Sequence, residues 1–473
     1  MSVQSSMPEG LMAIDGAARG PAAAPPEHPQ TPAFVVDEPL LDALRSSFQH
    51  AMAAHWPSSI LAYSFKTNAL PWLLAYFRHR GAWAEVASDT EYELAVALDF
   101  PPDRIVFNGP AKRRDRLRSA LIEGSIVNLD AKREVTWAAE LARERPELDV
   151  RVGVRVNWDL ASLVPGELIS EDDVARFGFS LVNGEFDAAV AELREAGVRV
   201  AGLHMHNSTR SKSVEVYRAA ARTAADVVST RGLTPDWIDM GGGFFGGVDA
   251  TPTFDDYFAV IREELERAVD PERTTLIVEP GGCLVAPPFE YHATVIDVKD
   301  VGQTRFVVID GSRTDTDPLF RRTRPYELRV ASASARVLPV QKVVGATLTE
   351  LDRVTTLHDE RELRVGDRLT FSKLGAYTLP LRGLFIDYLP NVYVRDADGA
   401  LTQVRRKWGA QEFLQANLWS DGDGSLRGPA QDPTSASPER PADASAMLAP
   451  PTPVRKPRRR TRAGRDTRGA DVA

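Results

Sequence analysis

Residues 62–88 read AYSFKTNALPWLLAYFRHRGAWAEVAS, and the fold turns on how this stretch is divided. AYSF (62–65) and WAEVAS (83–88) are short apolar runs of strand type. Between them, PWLLAYFRHR (71–80) opens on proline, keeps apolar residues at helical spacing and stops at Gly81. Strand, helix and strand in one short stretch make a βαβ unit. The turn from its first strand to its helix carries Lys66.

The same alternation continues outward. RIVFNG (104–109), SIVNLD (125–130), VRVGVRVN (150–157), VRVAGLHMH (198–206), WIDMGGG (237–243) and TTLIVEP (274–280) read as further strands, eight in all. EYELAVAL, AKRRDRLRSALIEG, VEVYRAAARTAADVVSTRG and FDDYFAVIREELERAVD read as amphipathic helices between them. Eight βα units predict an α/β fold, a (β/α)8 TIM-type barrel. A doubly wound open sheet shares that strand count, and the pattern alone does not decide closure.

After residue 288 the period changes. EYHATVIDVKD, TRFVVIDG, GDRLTFSKL and NVYVRDADGALTQVRRK read as strands and turns, with a hairpin at Asp398-Gly399. The expected organisation is a disordered segment at 1–30, the barrel at 31–288, a C-terminal mostly-β domain at 289–420 and a disordered tail at 421–473. Segment 31–55, with FVVDEPLL at 34–41, is compatible with joining the β domain. The Pro/Ser/Ala-rich tail cannot bury enough surface to offset its ordering entropy.

Composition narrows the class. The chain has 473 residues with 57 basic and 66 acidic side chains, a net charge of −9, so bulk charge excludes a nucleic-acid binder. The basic end RKPRRRTRAGRDTR is read as a solvated tail, with a tether for nucleic acid or an acidic partner as the lesser alternative. Nine of the basic residues are lysine, which makes each lysine worth inspecting. Cys283 is the only cysteine, so no disulfide framework or multi-cysteine metal site is available. No apolar run reaches the roughly 18–20 residues of a membrane span, and no signal peptide is read at the N-terminus. A cytoplasmic enzyme is expected.

In a βα barrel the chemistry sits at the C-terminal ends of the strands. The first strand ends at Lys66, an amine suited to a carbonyl partner or to a plain surface position. Glu85 either pairs with that lysine or caps the next helix, where Ser88-x-x-Glu91 reads as a capping box. Asn108-Gly109-Pro110 reads as a turn without chemistry of its own. His204 and His206 share a face of their strand. Without an evident third ligand no metal is assigned, and a ring-stacking histidine followed by hydroxyls for an anion competes with that role. Gly241, Gly242 and Gly243 form a loop able to close on a phosphate. Glu279-Pro280-Gly281-Gly282 adds an acid and a second glycine cradle. Amine, ring surface, phosphate donors and acid together match the needs of pyridoxal 5'-phosphate.

At these positions the chain resembles the fold-type III, alanine-racemase-like, pyridoxal-phosphate-dependent decarboxylases, the group of diaminopimelate and ornithine decarboxylases. The resemblance spans about residues 31–412. Tyr63-Ser-Phe-Lys66-Thr-Asn68 resembles the family's Y-A-x-K-A-N, which implies that Lys66 forms the Schiff base. Ala84-Glu85-Val-Ala-Ser88 is similar to D-V-x-S, with Glu85 for Asp. Gly202-Leu-His-Met-His206-Asn-Ser-Thr209 resembles G-L-H-x-H-I-G-S, which implies that His206 stacks on the ring and Thr209 serves the phosphate. Asp239-Met-Gly241-Gly242-Gly243 resembles the glycine phosphate loop. Glu279-Pro-Gly281 resembles E-P-G-R, with Glu279 at the pyridine nitrogen and Gly282 in place of Arg. Gly375-Ala-Tyr377 resembles G-A-Y, with Tyr377 at the phosphate. The resemblance also implies a homodimer with active sites between subunits.

Gly345-Ala-Thr-Leu348-Thr349-Glu350-Leu-Asp352 matches G-P-T-C-[DE]-x-x-D with two departures. Leu348 stands for the reactive Cys and Thr349 for the acid that reads a distal amine. Glu350 and Asp352 remain candidate polar contacts to substrate. The implied activity is a carbon–carbon lyase, decarboxylating an amino acid or a derivative other than a basic diamine precursor. A racemase or epimerase of the same fold and a non-catalytic regulatory homologue are the alternatives.

Overall fold

A computed structural model describes residues 28–169, 174–246, 250–321, 326–420 and 425–428. The readings of 1–27 and of the basic end at 455–468 lie outside the described residues. No helix among the described residues is long and apolar enough to cross a membrane.

The chain begins with strand β1 (Ala33–Asp37) and a helix over Glu38–His55, whose first turn is capped by the Asp37 carboxylate accepting from Leu40 N. Barrel strands follow as β2 (Ser59–Ser64), β3 (Trp83–Val86), β4 (Ile105–Phe107), β5 (Ile126–Leu129) and β6 (Arg151–Asn157). A two-residue strand β7 (Phe179–Ser180) pairs with β6, and β8 (Arg199–His204), β9 (Trp237–Asp239) and β10 (Thr275–Val278) complete the set. All pair in parallel in the order β5-β4-β3-β2-β10-β9-β8-β6, and β5 pairs with β6 to close the ring. Asn128 lies opposite Gly153 and Leu129 opposite Val154 at that closure. The closed ring removes the open-sheet alternative.

Seven of the eight expected strands run one to four residues too long at their C-terminal ends, and the eighth stops at Asn157 as expected. Phe65–Thr67 forms a single 3-10 turn, so Lys66 stands just above the sheet and not within it. Inside the barrel, Ala62, Val106, Ala201, Trp237 and Ile277 form a small core of their own. Outside, the first helix buries Leu41, Leu44 and Phe48. The Phe48 ring meets Phe254 and Phe258 of the helix Phe254–Leu265 edge-on, at 4.9 and 5.2 Å. Full burial of such a ring contributes about 1.5–3 kcal/mol.

The remaining strands are β11 (Phe289–Val301), β12 (Thr304–Ile309), β13 (Leu328–Ala331), β14 (Val337–Val344), β15 (Arg353–Arg361), β16 (Arg368–Phe371), β17 (Asn391–Arg395) and β18 (Leu401–Arg405). They form a second sheet in the order β15-β14-β12-β11-β1-β17-β18, with β16 joining β11 to β13. β1 lies inside it, antiparallel to β11 and parallel to β17. Segment 31–55 is thus divided between the two bodies: its strand belongs to the β sheet, while its helix packs on the barrel. The β17–β18 hairpin turns through Gly399 (φ +82°), and the Asp396 carboxylate accepts from Asp398 N and Ala400 N.

One expected boundary differs. The sheet ends at Arg405, and the chain divides after Gly409 into a second compact unit, so 410–420 do not belong to the β domain. The helix Ala410–Leu414 of that unit buries none of its residues. The hairpin Trp419–Ser420 with Leu426–Arg427 completes its described part.

Candidate active site

A cavity of about 380 Å³ opens at the C-terminal ends of the barrel strands, closed on one side by Leu374, Ala376 and Tyr377 of the β domain. The turn carrying Lys66 is stitched to that domain. Asn68 Nδ2 donates to Gly375 O at 2.9 Å, Tyr377 N donates to Thr67 O at 2.9 Å, and Tyr63 OH donates to Asn68 O at 3.0 Å. Tyr377 itself adopts a left-handed backbone (φ +56°), the kind of strain that surrounding structure must hold in place. The tyrosine and asparagine of the Lys66 motif therefore serve the seam between the two bodies.

Lys66 Nζ donates to Glu85 Oε2 at 3.0 Å. The same oxygen accepts from Ser64 Oγ at 2.6 Å, and Glu85 Oε1 accepts from Asn108 Nδ2 at 3.0 Å. Burial alone would lower the Lys66 ammonium, but the carboxylates of Glu85 and Glu279 outweigh it and raise its pKa. Burial pushes Glu85 up, and Lys66 with the two hydrogen-bond donors brings it below the ordinary value. The pair is ionised. Of the two readings for Glu85, the structure has the partner of Lys66. Helix capping falls to Ser88, whose Oγ accepts from Glu91 N at 3.2 Å.

Asn108 is more than the plain turn residue its neighbours suggest: its carboxamide joins Glu85 to Glu279, donating to both. Its Oδ1 accepts from Asn128 Nδ2 at 2.9 Å, and Asn128 Nδ2 also donates to Asp239 Oδ2 at 2.9 Å. Ends of six strands thus meet in one hydrogen-bonded floor. The sequence reading names Asp239 only as the start of the glycine loop and passes over Asn128 and Arg155. Polar residues at inward positions near strand ends are the signal that marks them.

Asp239 and Glu279 are hydrogen-bonded to each other and buried. Burial raises Asp239 to about 7, against the bonds it accepts from Glu279 and Gly241 N. Burial, then Asp239 and Glu85, raise Glu279 well above the usual carboxyl range. Two buried carboxyls in contact hold one proton between them. His204, Asp239 and Glu279 have ligand atoms within 4.8 Å of one another, a set that could hold a metal but leaves out His206, the other half of the pair read from the sequence. His204 Nε2 is buried without a hydrogen-bond partner, 3.8 Å from Glu279 Oε1.

The proton makes a testable contribution to stability. Glu279 keeps its own proton, and Asp239 in the folded protein takes up a further one below about pH 7, whereas an unfolded aspartate does so only near the ordinary 3.8. The stabilisation is complete at low pH and is lost as pH rises toward 7. Asp239→Asn stays neutral throughout. Its Tm relative to wild type is expected to rise from pH 4 to 7 and then level off, and a pH-independent gap would refute the raised Asp239 carboxyl.

His206 is neutral. Burial first, then the Arg155 guanidinium and the Lys66 ammonium, push its imidazole down to about 3. Its Nδ1 accepts from Gly242 N at 3.3 Å, so Nε2 carries the hydrogen. Arg155 also donates to His206 O at 3.0 Å while paired with Asp130 at 2.8 Å. The His204 and His206 rings lie nearly parallel, 6.3 Å apart.

The glycine loop is required by contact. Gly241 is left-handed (φ +68°), and a Cβ there would overlap the His206 side chain. A Cβ on Gly242 would overlap the carbonyl of Glu279, a backbone atom that cannot swing away. Gly242, Gly243, Gly281 and Gly282 line the cavity with Thr209 and Tyr377.

Leu348, Thr349, Glu350 and Asp352 do not line this cavity. They occupy the turn between β14 and β15, where Leu348 is 92% exposed. Glu350 pairs with Arg353 at 3.0 Å. The Asp352 carboxylate is committed to the turn itself, accepting from Arg313 N at 2.7 Å and Thr347 N at 3.1 Å. Within one chain, Asp352 is a structural anchor and not a substrate contact.

The donor set fits pyridoxal phosphate: an amine, a neutral ring, a protonated acid and a cradle kept clear by glycines. A closed βα barrel with these groups at its mouth defines a pyridoxal-phosphate enzyme of the barrel type. The chain belongs to the pyridoxal-dependent decarboxylases, whose pyridoxal binding domain matches residues 41–286. It is thus a pyridoxal-phosphate-dependent carbon–carbon lyase by family. It is 26% identical to a probable chloroplastic diaminopimelate decarboxylase of Oryza sativa subsp. japonica, over 82% of this chain and 79% of that one. Among solved structures, the M. jannaschii diaminopimelate decarboxylase in co-complex with L-lysine aligns with a TM-score of 0.72 at 20% identity, over 82% of this chain and 92% of that one. The arginine decarboxylase of Paramecium bursaria Chlorella virus aligns at 0.65 and 19% identity, over 78% of this chain and 97% of that one. Both likenesses give the same barrel with a mostly-β domain.

Proposed function

We propose that this chain decarboxylates an α-amino acid whose side chain carries no distal cation. The observation behind it is the ionised Lys66–Glu85 pair facing neutral His206 and protonated Glu279 in one cavity. Bound pyridoxal phosphate supplies an electron sink for the charge left when a bond at Cα breaks. Lys66 provides the amine for its aldehyde, and Glu85 holds that amine in position. Glu279 would hold its proton toward the pyridine nitrogen. His206 would face the ring and, being neutral, would not oppose that proton. Gly242, Gly243, Thr209 and Tyr377 serve the phosphate. Leu348 cannot donate a proton, and His206 is too weakly basic to carry one. Lys66 Nζ is the group that returns the proton to Cα.

Two features support the restriction on substrate. Thr349 stands where the family's motif has an acid, and Asp317, an acid in the cavity wall, is paired with Arg313 at 2.7 Å. The relatives, named for diaminopimelate and arginine, support a basic substrate instead. We further read the working enzyme as a cytoplasmic homodimer. The β14–β15 turn and the segment with Leu384, Phe385 and Ile386 expose apolar side chains that a second copy would cover. Cys283 as the sole cysteine suits a reducing compartment.

CO2 release from single amino acids tests the reading. Neutral or acidic substrates are expected to turn over faster than diaminopimelate, lysine, ornithine or arginine. Fastest release from diaminopimelate or arginine would sink the substrate restriction. Solvent deuterium at Cα with the carboxylate retained would make the enzyme a racemase.

A further inference from the structure

The backbone of the glycine loop after β9 is held group by group. Gly241 N donates to Asp239 Oδ1 at 2.9 Å, and Gly241 O accepts from Glu279 N at 2.9 Å. Gly242 N donates to the His206 ring, and Gly242 O accepts from Tyr217 OH at 2.8 Å. Phe245 N donates to Tyr257 OH at 3.2 Å. The Gly243 N–H is passed over: among the described residues it donates to no protein acceptor. Gly243 lines the cavity.

Tyr217 decides where that N–H points. A trans peptide is planar, with its C=O and N–H directed to opposite sides. The Gly242 carbonyl and the Gly243 N–H belong to one such peptide. Tyr217 is 4% exposed and does not line the cavity, so its hydroxyl draws the carbonyl toward the protein interior. The N–H of the same peptide is thereby turned the other way, toward the cavity. The approach is close. A Cβ on Gly243 would stand 3.3 Å from the Tyr217 hydroxyl, and Gly243 is itself left-handed (φ +95°).

The hydroxyl has little freedom. Tyr217 sits in the first turn of the helix Val214–Arg231, whose N-cap Ser213 accepts from Glu215 N at 3.1 Å. Its ring meets Tyr257 edge-on at 4.9 Å and Phe244, the residue after the glycines, at 4.6 Å. Phe244 in turn meets Phe48 edge-on at 5.2 Å. Close packing of this kind keeps a side chain in one rotamer. Burial raises the phenol well above its ordinary value, so the hydroxyl keeps its proton and remains a donor.

We propose that Tyr217 is a positioning residue for the cofactor phosphate: by holding the Gly242 carbonyl from behind, it aims the Gly243 N–H into the cavity as an anion donor. The inference rests on the pyridoxal phosphate reading of the site and adds to it a residue behind the cavity wall. The phosphate carries about 1.5 to 2 negative charges at neutral pH, and a backbone N–H given to such an anion makes a charge-assisted bond. Without the hydroxyl, the carbonyl loses its partner and the peptide can turn its N–H aside.

Tyr217→Phe keeps the ring and removes the hydroxyl alone. Wild type and variant are stripped of cofactor and titrated by absorbance with pyridoxal phosphate and with pyridoxal, which lacks the phosphate. The variant is expected to bind pyridoxal phosphate about 3- to 10-fold more weakly, the range of one hydrogen bond, and to bind pyridoxal as wild type does. Equal pyridoxal phosphate affinities overturn the inference. So does an equal loss for both ligands, which marks a purely structural role. Hydrogen exchange in wild type reads the donor directly, whether or not the variant folds. Pyridoxal phosphate should protect the Gly243 amide, and pyridoxal should not. An amide that pyridoxal phosphate leaves unprotected, or that both ligands protect equally, overturns the inference. A wild type that takes up no pyridoxal phosphate overturns the cofactor reading itself.

Discussion

Lys66→Ala is expected to lose the long-wavelength absorbance of lysine-linked pyridoxal and to lower kcat by on the order of 10⁴-fold or more, the scale seen when a covalent catalytic group is removed. The reason is the absence of any substitute. The other two cavity lysines, Lys212 and Lys373, are held elsewhere, and Lys66 alone sits on the turn after β2 against Glu85. Lys66→Arg separates charge from nucleophilicity. Its guanidinium can satisfy Glu85 but cannot form the linkage, so the fold should survive and the band should not. Retention of the band in either variant would move the linkage to another lysine and overturn the assignment.

Glu279→Gln is expected to keep the fold and the absorbance band yet lower kcat by about 10²- to 10⁴-fold, the range for a positioned proton donor. Glutamine reproduces the bonding of the protonated acid. Its Nε2 can donate to Asp239, and its Oε1 can accept from Asn108 as Glu279 does. What it cannot do is give up a proton. The loss should therefore appear in kcat with little change in cofactor affinity or Tm. Unchanged turnover in Glu279→Gln would remove Glu279 from the reaction, and a collapse in Tm would reassign it to structure.

The asymmetry between what could and could not be read follows from range. Lys66, His206, the glycines and Glu279 were visible because each stands at a strand end, a position set by local periodicity. Asn108 was passed over because its neighbours form an ordinary turn. Its role exists only through partners 23 and 171 residues away. Leu348, Thr349, Glu350 and Asp352 were legible as a motif, but their burial was not: Asp352 is consumed by its own turn while Leu348 faces outward.

By itself, the sequence determined the βα alternation, the change of period after residue 288 and the residues at each strand end, because these depend on spacing along the chain. Only the tertiary structure decided that β5 meets β6 to close the barrel and that β1 enters the far sheet. It alone decided that Asp239 and Glu279 share a proton and that Tyr217 holds the Gly242 carbonyl. Closure, shared protons and anchored carbonyls are properties of distances between remote residues, and no local pattern encodes those distances.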